Sequence, residues 1–235
     1  MPATTEKSAL LRGALSTLPF VIVLVPFALL FGVVATEAGL NVAETMGFSV
    51  LVIAGAAQFT AIQLMTENAP VWLILAAALA VNLRMAMYAA SLQVYFREAS
   101  LRQKLLIAFG NFDQTYALSM LRFEANPDMP TPNRVGYFLG AFFLISTSWV
   151  LSTLFGAVFG GAVLPADLPL DFAMPIMFLA IVGPMLKTPA HLAAAVTSIL
   201  VALALSGLPS GIGLILAGLA AMAVGAECER RGYGP

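Results

Sequence analysis

Two side chains in this sequence have the type and setting to do chemistry: Arg84, within VNLRMAMYAAS at 81–91, and Asp113, within NFDQTY at 111–116. Arg84 lies in a run that is otherwise apolar from Val71 to Leu92. A helix of about 20 residues rises about 30 Å, the thickness of a bilayer's hydrocarbon core. Asn82 and Arg84 would then sit near mid-membrane, where a guanidinium costs at least ~2.5 kcal/mol on insertion scales. Nothing nearby in the chain offsets that cost, so a counter-charge has to come from elsewhere. Asp113 is the best candidate, because it is the one carboxylate flanked on both sides by long apolar runs.

The pair admits two readings. Arg84 can hold a substrate carboxylate in a bidentate fork, with Asp113 tuning it or exchanging with it. Alternatively the two charges only clamp two helices together. On a helix Arg84, Tyr88 and Ser91 share a face at i, i+4 and i+7, so Tyr88 and Ser91 could bond a zwitterion or make ordinary interhelical contacts. Asn82 faces away from Arg84 by about 200° and needs its own partner, with Gln58 a candidate, either as a structural bond or beside a ligand. Gly55, Gln58, Asn111, Asp113 and Gln114 are the residue types that line a cavity. His191, the only histidine, follows Lys187-Thr188-Pro189, which reads as an N-cap with proline at the first helical position. Solvation or proton relay are both open to it.

Stepping outward from these residues, composition limits the class. The chain has 235 residues, 60% hydrophobic and 10% charged, against about 25% charged in a soluble domain. That deficit predicts an all-α polytopic membrane protein, a single transmembrane domain over residues 1–235, with the lipid bilayer as its solvent. A net charge of −1 gives nucleic acid no basic surface. One cysteine, Cys228, excludes an internal disulfide framework or a cysteine-cluster metal site. No HExxH, GxSxG or GxxxxGK[ST] motif occurs, so neither hydrolase nor ATPase chemistry is expected, and no metal or organic cofactor. A passive channel would want rings of charge, and the intramembrane polar inventory is too sparse for that.

Apolar runs at 18–36, 46–65, 71–93, 105–121, 135–163, 172–186, 190–205 and 211–225 give eight spans if each crosses. Pro26 interrupts the first, AGAAQF (54–59) the second, NFDQTY the fourth, and Pro175 and Gly183-Pro184 the sixth. Eight crossings would put Arg97, Arg102 and Lys104 outside, against the positive-inside rule. If 46–65 and 105–121 are broken or re-entrant, six full spans remain and the conflict vanishes. The basic loops 97–104 and 122–134 then face the cytoplasm with both tails, 1–13 and 227–235. Segments of that kind are tolerated where they line a cavity, and entering from opposite faces they suit an inverted repeat. Seven or eight full spans are the alternative.

PFALLFG (26–32), FSVLVIAGAAQFTAIQLM (48–65), VNLRMAMYAASL (81–92) and FDQTYALS (112–119) together resemble the AzlC-type large subunit of branched-chain amino acid permeases. The resemblance covers most of the first half; beyond Arg134 length and hydropathy agree. It implies an exporter of valine, leucine, isoleucine or methionine in the cell's inner or plasma membrane. It further implies a small AzlD-type subunit as partner and the proton gradient as driving force. In the family a histidine often follows the arginine, where this chain has Met85, and an acid often follows the aspartate, where it has Gln114. Proton coupling here would then rest on Asp113. A non-transporting membrane scaffold, or a transporter of another small carboxylate solute, is the competing reading.

Overall fold

The structure is a computed structural model describing residues 6–163, 186–207 and 212–233. Every regular element among them is a helix, as the composition requires. The chain divides into two compact units, residues 1–58 with 79–166 and residues 59–78 with 167–235.

The first unit is built on one long helix, α8 (Thr131–Val163), against which α1 (Glu6–Ser16) and α2 (Leu18–Glu37) pack. Glycines set both approaches. A methyl group at Gly140 would run into the Leu10 carbonyl, and one at Gly156 into the Leu29 carbonyl. Small residues let helix backbones approach closely where lipid tails provide no hydrophobic drive. α2 runs on through Pro26 without ending.

The runs at 46–65 and 105–121 are broken. The first becomes α3 (Val42–Leu51) and α4 (Gly55–Thr66); the second becomes α6 (Leu101–Phe109) and α7 (Asp113–Glu124). None of the four exceeds 12 residues, or about 18 Å, so none alone spans a hydrocarbon core of about 30 Å. Between them α5 (Val71–Leu92) is continuous and closes in a tight turn, Gln93–Phe96.

Both broken pairs begin earlier than the hydropathy suggests. Asn41 and Glu44 form a capping box that starts α3 at Val42, and Ser100 and Gln103 form another that starts α6 at Leu101. Side-chain oxygens take the helices' orphan N–H groups there, so polar residues enter the first turn. Arg102 and Lys104 are therefore helical, not loop. At the same end of the unit, the Arg134 guanidinium lies 5.3 Å from the Tyr95 ring centroid and 5.9 Å from that of Phe123.

In the second unit α9 (Pro189–Ala204) and α10 (Ile212–Cys228) pack together, with Gly225 near Ala194 and Gly213 near Leu205, hence antiparallel. Thr188 caps α9 and Pro189 takes its first position. Cys228 closes α10 and is partly buried. Among the described residues three helical stretches, Leu18–Glu37, Val71–Phe96 and Thr131–Gly160, are long and apolar enough to cross a membrane. The expected run at 172–186 lies, but for its last residue, outside the described residues.

Candidate functional site

The structure places Arg84 and Asp113 in contact. The guanidinium donates from Nε to Asp113 Oδ1 at 2.9 Å and from Nη2 to Oδ2 at 3.0 Å. Two parallel charge-assisted bonds of this kind are the strong geometry for arginine on a carboxylate. The pair is not sealed, since the side chains retain 28% and 47% of their exposure. Tyr88, one turn beyond Arg84 on α5, donates its hydroxyl to Asp113 Oδ1 at 2.9 Å. Its ring stacks on Tyr116 of α7 with centroids 4.1 Å apart. Asp113 thus accepts three bonds from one helix face, and it occupies the first position of α7, where the helix dipole favours an anion.

The break before Asp113 is held by a residue that composition gives no reason to single out. Thr115 accepts from the Phe112 N–H at 2.8 Å and donates to the Gly110 carbonyl at 2.7 Å. It satisfies backbone groups that the interrupted helix leaves free. Asn111, 3% exposed, donates from Nδ2 to the Met85 carbonyl at 3.1 Å and ties the break to α5 beside Arg84. A cavity of about 370 Å³ extends from Asn111 past Leu92, Phe96 and Ile107 to Arg97 and Lys104. It is apolar within and carries two exposed cations in its lining.

Other candidates go elsewhere. Ser91 donates to the Met87 carbonyl of its own helix. Gln114 stands on the first turn of α7 beside Asp113 and is partly buried. The Gln58 amide donates to Ser49, not to Asn82, whose Oδ1 is buried with no partner among the described residues. Gly55 lies under aromatic rings, where an added Cβ would stand 2.6 Å from Phe27 and 2.8 Å from Trp149. His191 serves the start of α9, its Nδ1 accepting from the Lys187 N–H at 3.4 Å. No group of three or more His, Cys, Asp or Glu side chains poised for a metal occurs among the described residues.

Comparison with known proteins bears on these helices directly. The family model described as AzlC protein matches residues 19–163, which runs through α2 to α8 and so reaches well beyond Arg134. Inner membrane protein YgaZ of Escherichia coli strain K12 is 28% identical over 178 residues, 74% of this chain and 71% of that protein. An uncharacterized membrane protein of Archaeoglobus fulgidus is 32% identical over 226 residues, 92% of this chain and 94% of that protein. No solved structure matches. Arg84, Asp113, both broken helices and the long α8 all lie within the matched region, and the chain belongs to the AzlC family of membrane proteins.

Proposed function

We propose that the chain is a secondary transporter that exports branched-chain or other small apolar amino acids, working with a small AzlD-type subunit. The observation that carries this reading is the half-open fork of Arg84 on Asp113. The two N–H groups that hold the aspartate are the groups that would hold a substrate carboxylate, with the same geometry. Substrate binding then displaces Asp113 from Arg84, and the freed carboxylate takes a proton or the substrate ammonium. Exchange of one carboxylate for another keeps the intramembrane arginine paired throughout the cycle, which avoids the cost of an isolated charge. The apolar cavity beside Asn111 suits an aliphatic side chain, and Arg97 and Lys104 draw carboxylates toward it.

In this reading the α3–α4 and α6–α7 pairs are the re-entrant or broken elements of an inverted repeat, six full spans surround them, and both termini are cytoplasmic. Proton entry at Asp113 supplies the driving force, and the chain carries out no catalysis.

A second reading has a specific observation behind it. Tyr88, Arg84, Tyr116 and the Asn111–Met85 bond together tie α5 to α7, which is what a structural clamp in a scaffold subunit would look like. Efflux from dipeptide-loaded cells, with and without the small subunit, separates the two. An exporter speeds loss of valine or methionine, and at matched membrane abundance Asp113→Asn abolishes the gain while Arg84→Lys reduces it. A scaffold loses abundance in those variants while flux per molecule stays the same.

A further inference from the structure

The α3–α4 break gathers oxygen atoms that the charged pair does not use. Thr45, Ser49, Gln58 and Thr153 are each 0% exposed. Thr45 and Ser49 are one turn apart on α3, and Thr153 meets Ser49 from α8, where Ser49 Oγ donates to Thr153 Oγ1 at 3.2 Å. Gln58 Nε2 donates to Ser49 Oγ at 3.4 Å. These bonds leave Gln58 Oε1 and Thr45 Oγ1 buried with no partner among the described residues. A buried polar atom left in that state calls for an occupant or a cost of about 1–3 kcal/mol.

The backbone adds a second observation. Ile53, in the break, has φ of 36°, a conformation that β-branched residues avoid and of the strained kind that clusters at ligand clamps and active sites. The last backbone bond of α3 runs from the Val52 N–H to the Phe48 carbonyl. The Ser49 carbonyl, next in line, accepts no backbone bond among the described residues. The helix is thus open one turn beyond Ser49, which meets Gln58 and Thr153.

The donor set decides what would fit. It comprises hydroxyl, amide and backbone carbonyl oxygens, with no nitrogen, sulfur or carboxylate. Hard neutral oxygens suit alkali and alkaline-earth cations. A divalent ion with no anionic ligand would bury two uncompensated charges, which is far too costly. An anion would face the unpartnered Gln58 Oε1 with no charged donor to offset it. Two oxygens bound at right angles to a cation at about 2.4 Å stand about 3.4 Å apart, close to the 3.2 Å between Ser49 and Thr153. The negative end of the α3 dipole also points into the break and favours a cation. The positive end of α4 opposes it, so the oxygens of α3 and α8 have to outweigh that term.

We propose that one monovalent cation of Na+ size binds in the α3–α4 break, held by Thr45, Ser49, Gln58 and Thr153. Binding stands on this cluster alone. Its use, a Na+ dependence added to the proton-driven exchange at Arg84, rests on the transporter reading.

Trp149 reports on the site, since it lies one turn before Thr153 on α8 and over Gly55 at the break. The sequence holds two tryptophans, so Trp72→Phe leaves Trp149 as the sole emitter. The full-length chain in detergent is titrated with NaCl at constant ionic strength against choline chloride and KCl, following emission and melting temperature. The expected result is a saturable, Na+-selective change in emission and a rise in melting temperature. Thr153→Val should raise the half-saturating Na+ concentration by roughly tenfold or more, the size of one lost bond to a charge, while Thr153→Ser should preserve it. Absence of a Na+-selective response in the otherwise unsubstituted chain overturns the proposal, leaving a bound water to satisfy the cluster. An equal response to K+, or one that a folded Thr153→Val retains unchanged, overturns it too. Na+ binding without amino acid efflux would remove the exporter and keep the site; efflux with no Na+ response would do the reverse.

Discussion

Replacing Arg84 with lysine separates a binding fork from a clamp. The substitution keeps the positive charge but removes the planar pair of donors. Of the two bonds to Asp113, at 2.9 and 3.0 Å, a compact ammonium retains one. A hydrogen bond involving a charged group contributes about 1.5–3 kcal/mol, and at ~1.4 kcal/mol per factor of ten this is roughly 10- to 150-fold in affinity. Asp113, tethered on α7 and also bonded by Tyr88, keeps its place on one remaining bond, whereas in the proposed exchange a free substrate carboxylate loses the second bond outright. Efflux is measured against internal valine concentration at matched abundance, alongside the melting temperature of the purified chain. The account predicts an apparent KM at least ~10-fold higher, with the tie to α7 weakened but the chain folded. An unchanged KM and maximal rate per molecule, with a lowered melting temperature, would refute the reasoning and leave Arg84 a clamp.

Tyr88→Phe removes one hydroxyl bond to the Asp113 carboxylate and keeps the stacking on Tyr116; the loss should be about 1.5–3 kcal/mol, read as a drop in efflux of roughly tenfold or more with little change in abundance. Thr115→Val strips the bonds to Phe112 and Gly110 that shape the break, with an expected loss of about 1–2 kcal/mol in melting stability and a larger fractional loss of efflux, because Asp113 shifts with α7. Gly156→Ala should lower membrane abundance sharply, since the methyl meets the Leu29 carbonyl, whereas Gly47→Ala, with open space around it, should not; equal abundance of the two would argue against the α2–α8 contact. A cysteine at Arg102 in a Cys228→Ser background should be shielded from impermeant reagents applied outside, and labelling from outside would favour eight crossings.

How much of this was legible in the sequence depends on the range of the interaction. A guanidinium in a 22-residue apolar helix demands a counter-charge, and Asp113 is the carboxylate in a matching setting; the two stand 29 positions apart and meet. The breaks were legible because Gly55, Asn111 and Asp113 interrupt otherwise continuous runs. Helix starts were missed because hydropathy ignores the Asn41–Glu44 and Ser100–Gln103 boxes, although the spacing of each was present to be read. Contacts of Gly140 with Leu10, of Gly156 with Leu29 and of Ser49 with Thr153 were out of reach. Each joins residues more than 100 positions apart, and a small residue on a helix does not name its partner. Gln58 went to Ser49 in place of Asn82 for the same reason: the sequence supplies the amide but not the fold that selects its neighbour.

The most direct test of the transporter reading is counterflow. The purified chain, with its small partner subunit, is reconstituted into liposomes preloaded with unlabelled valine, and uptake of labelled valine is followed. The account predicts transient accumulation of label above equilibrium, absent with Asp113→Asn and absent when the liposomes are loaded with a neutral solute lacking a carboxylate. No accumulation from an intact, folded complex, with valine, leucine, isoleucine and methionine each tried, would contradict it.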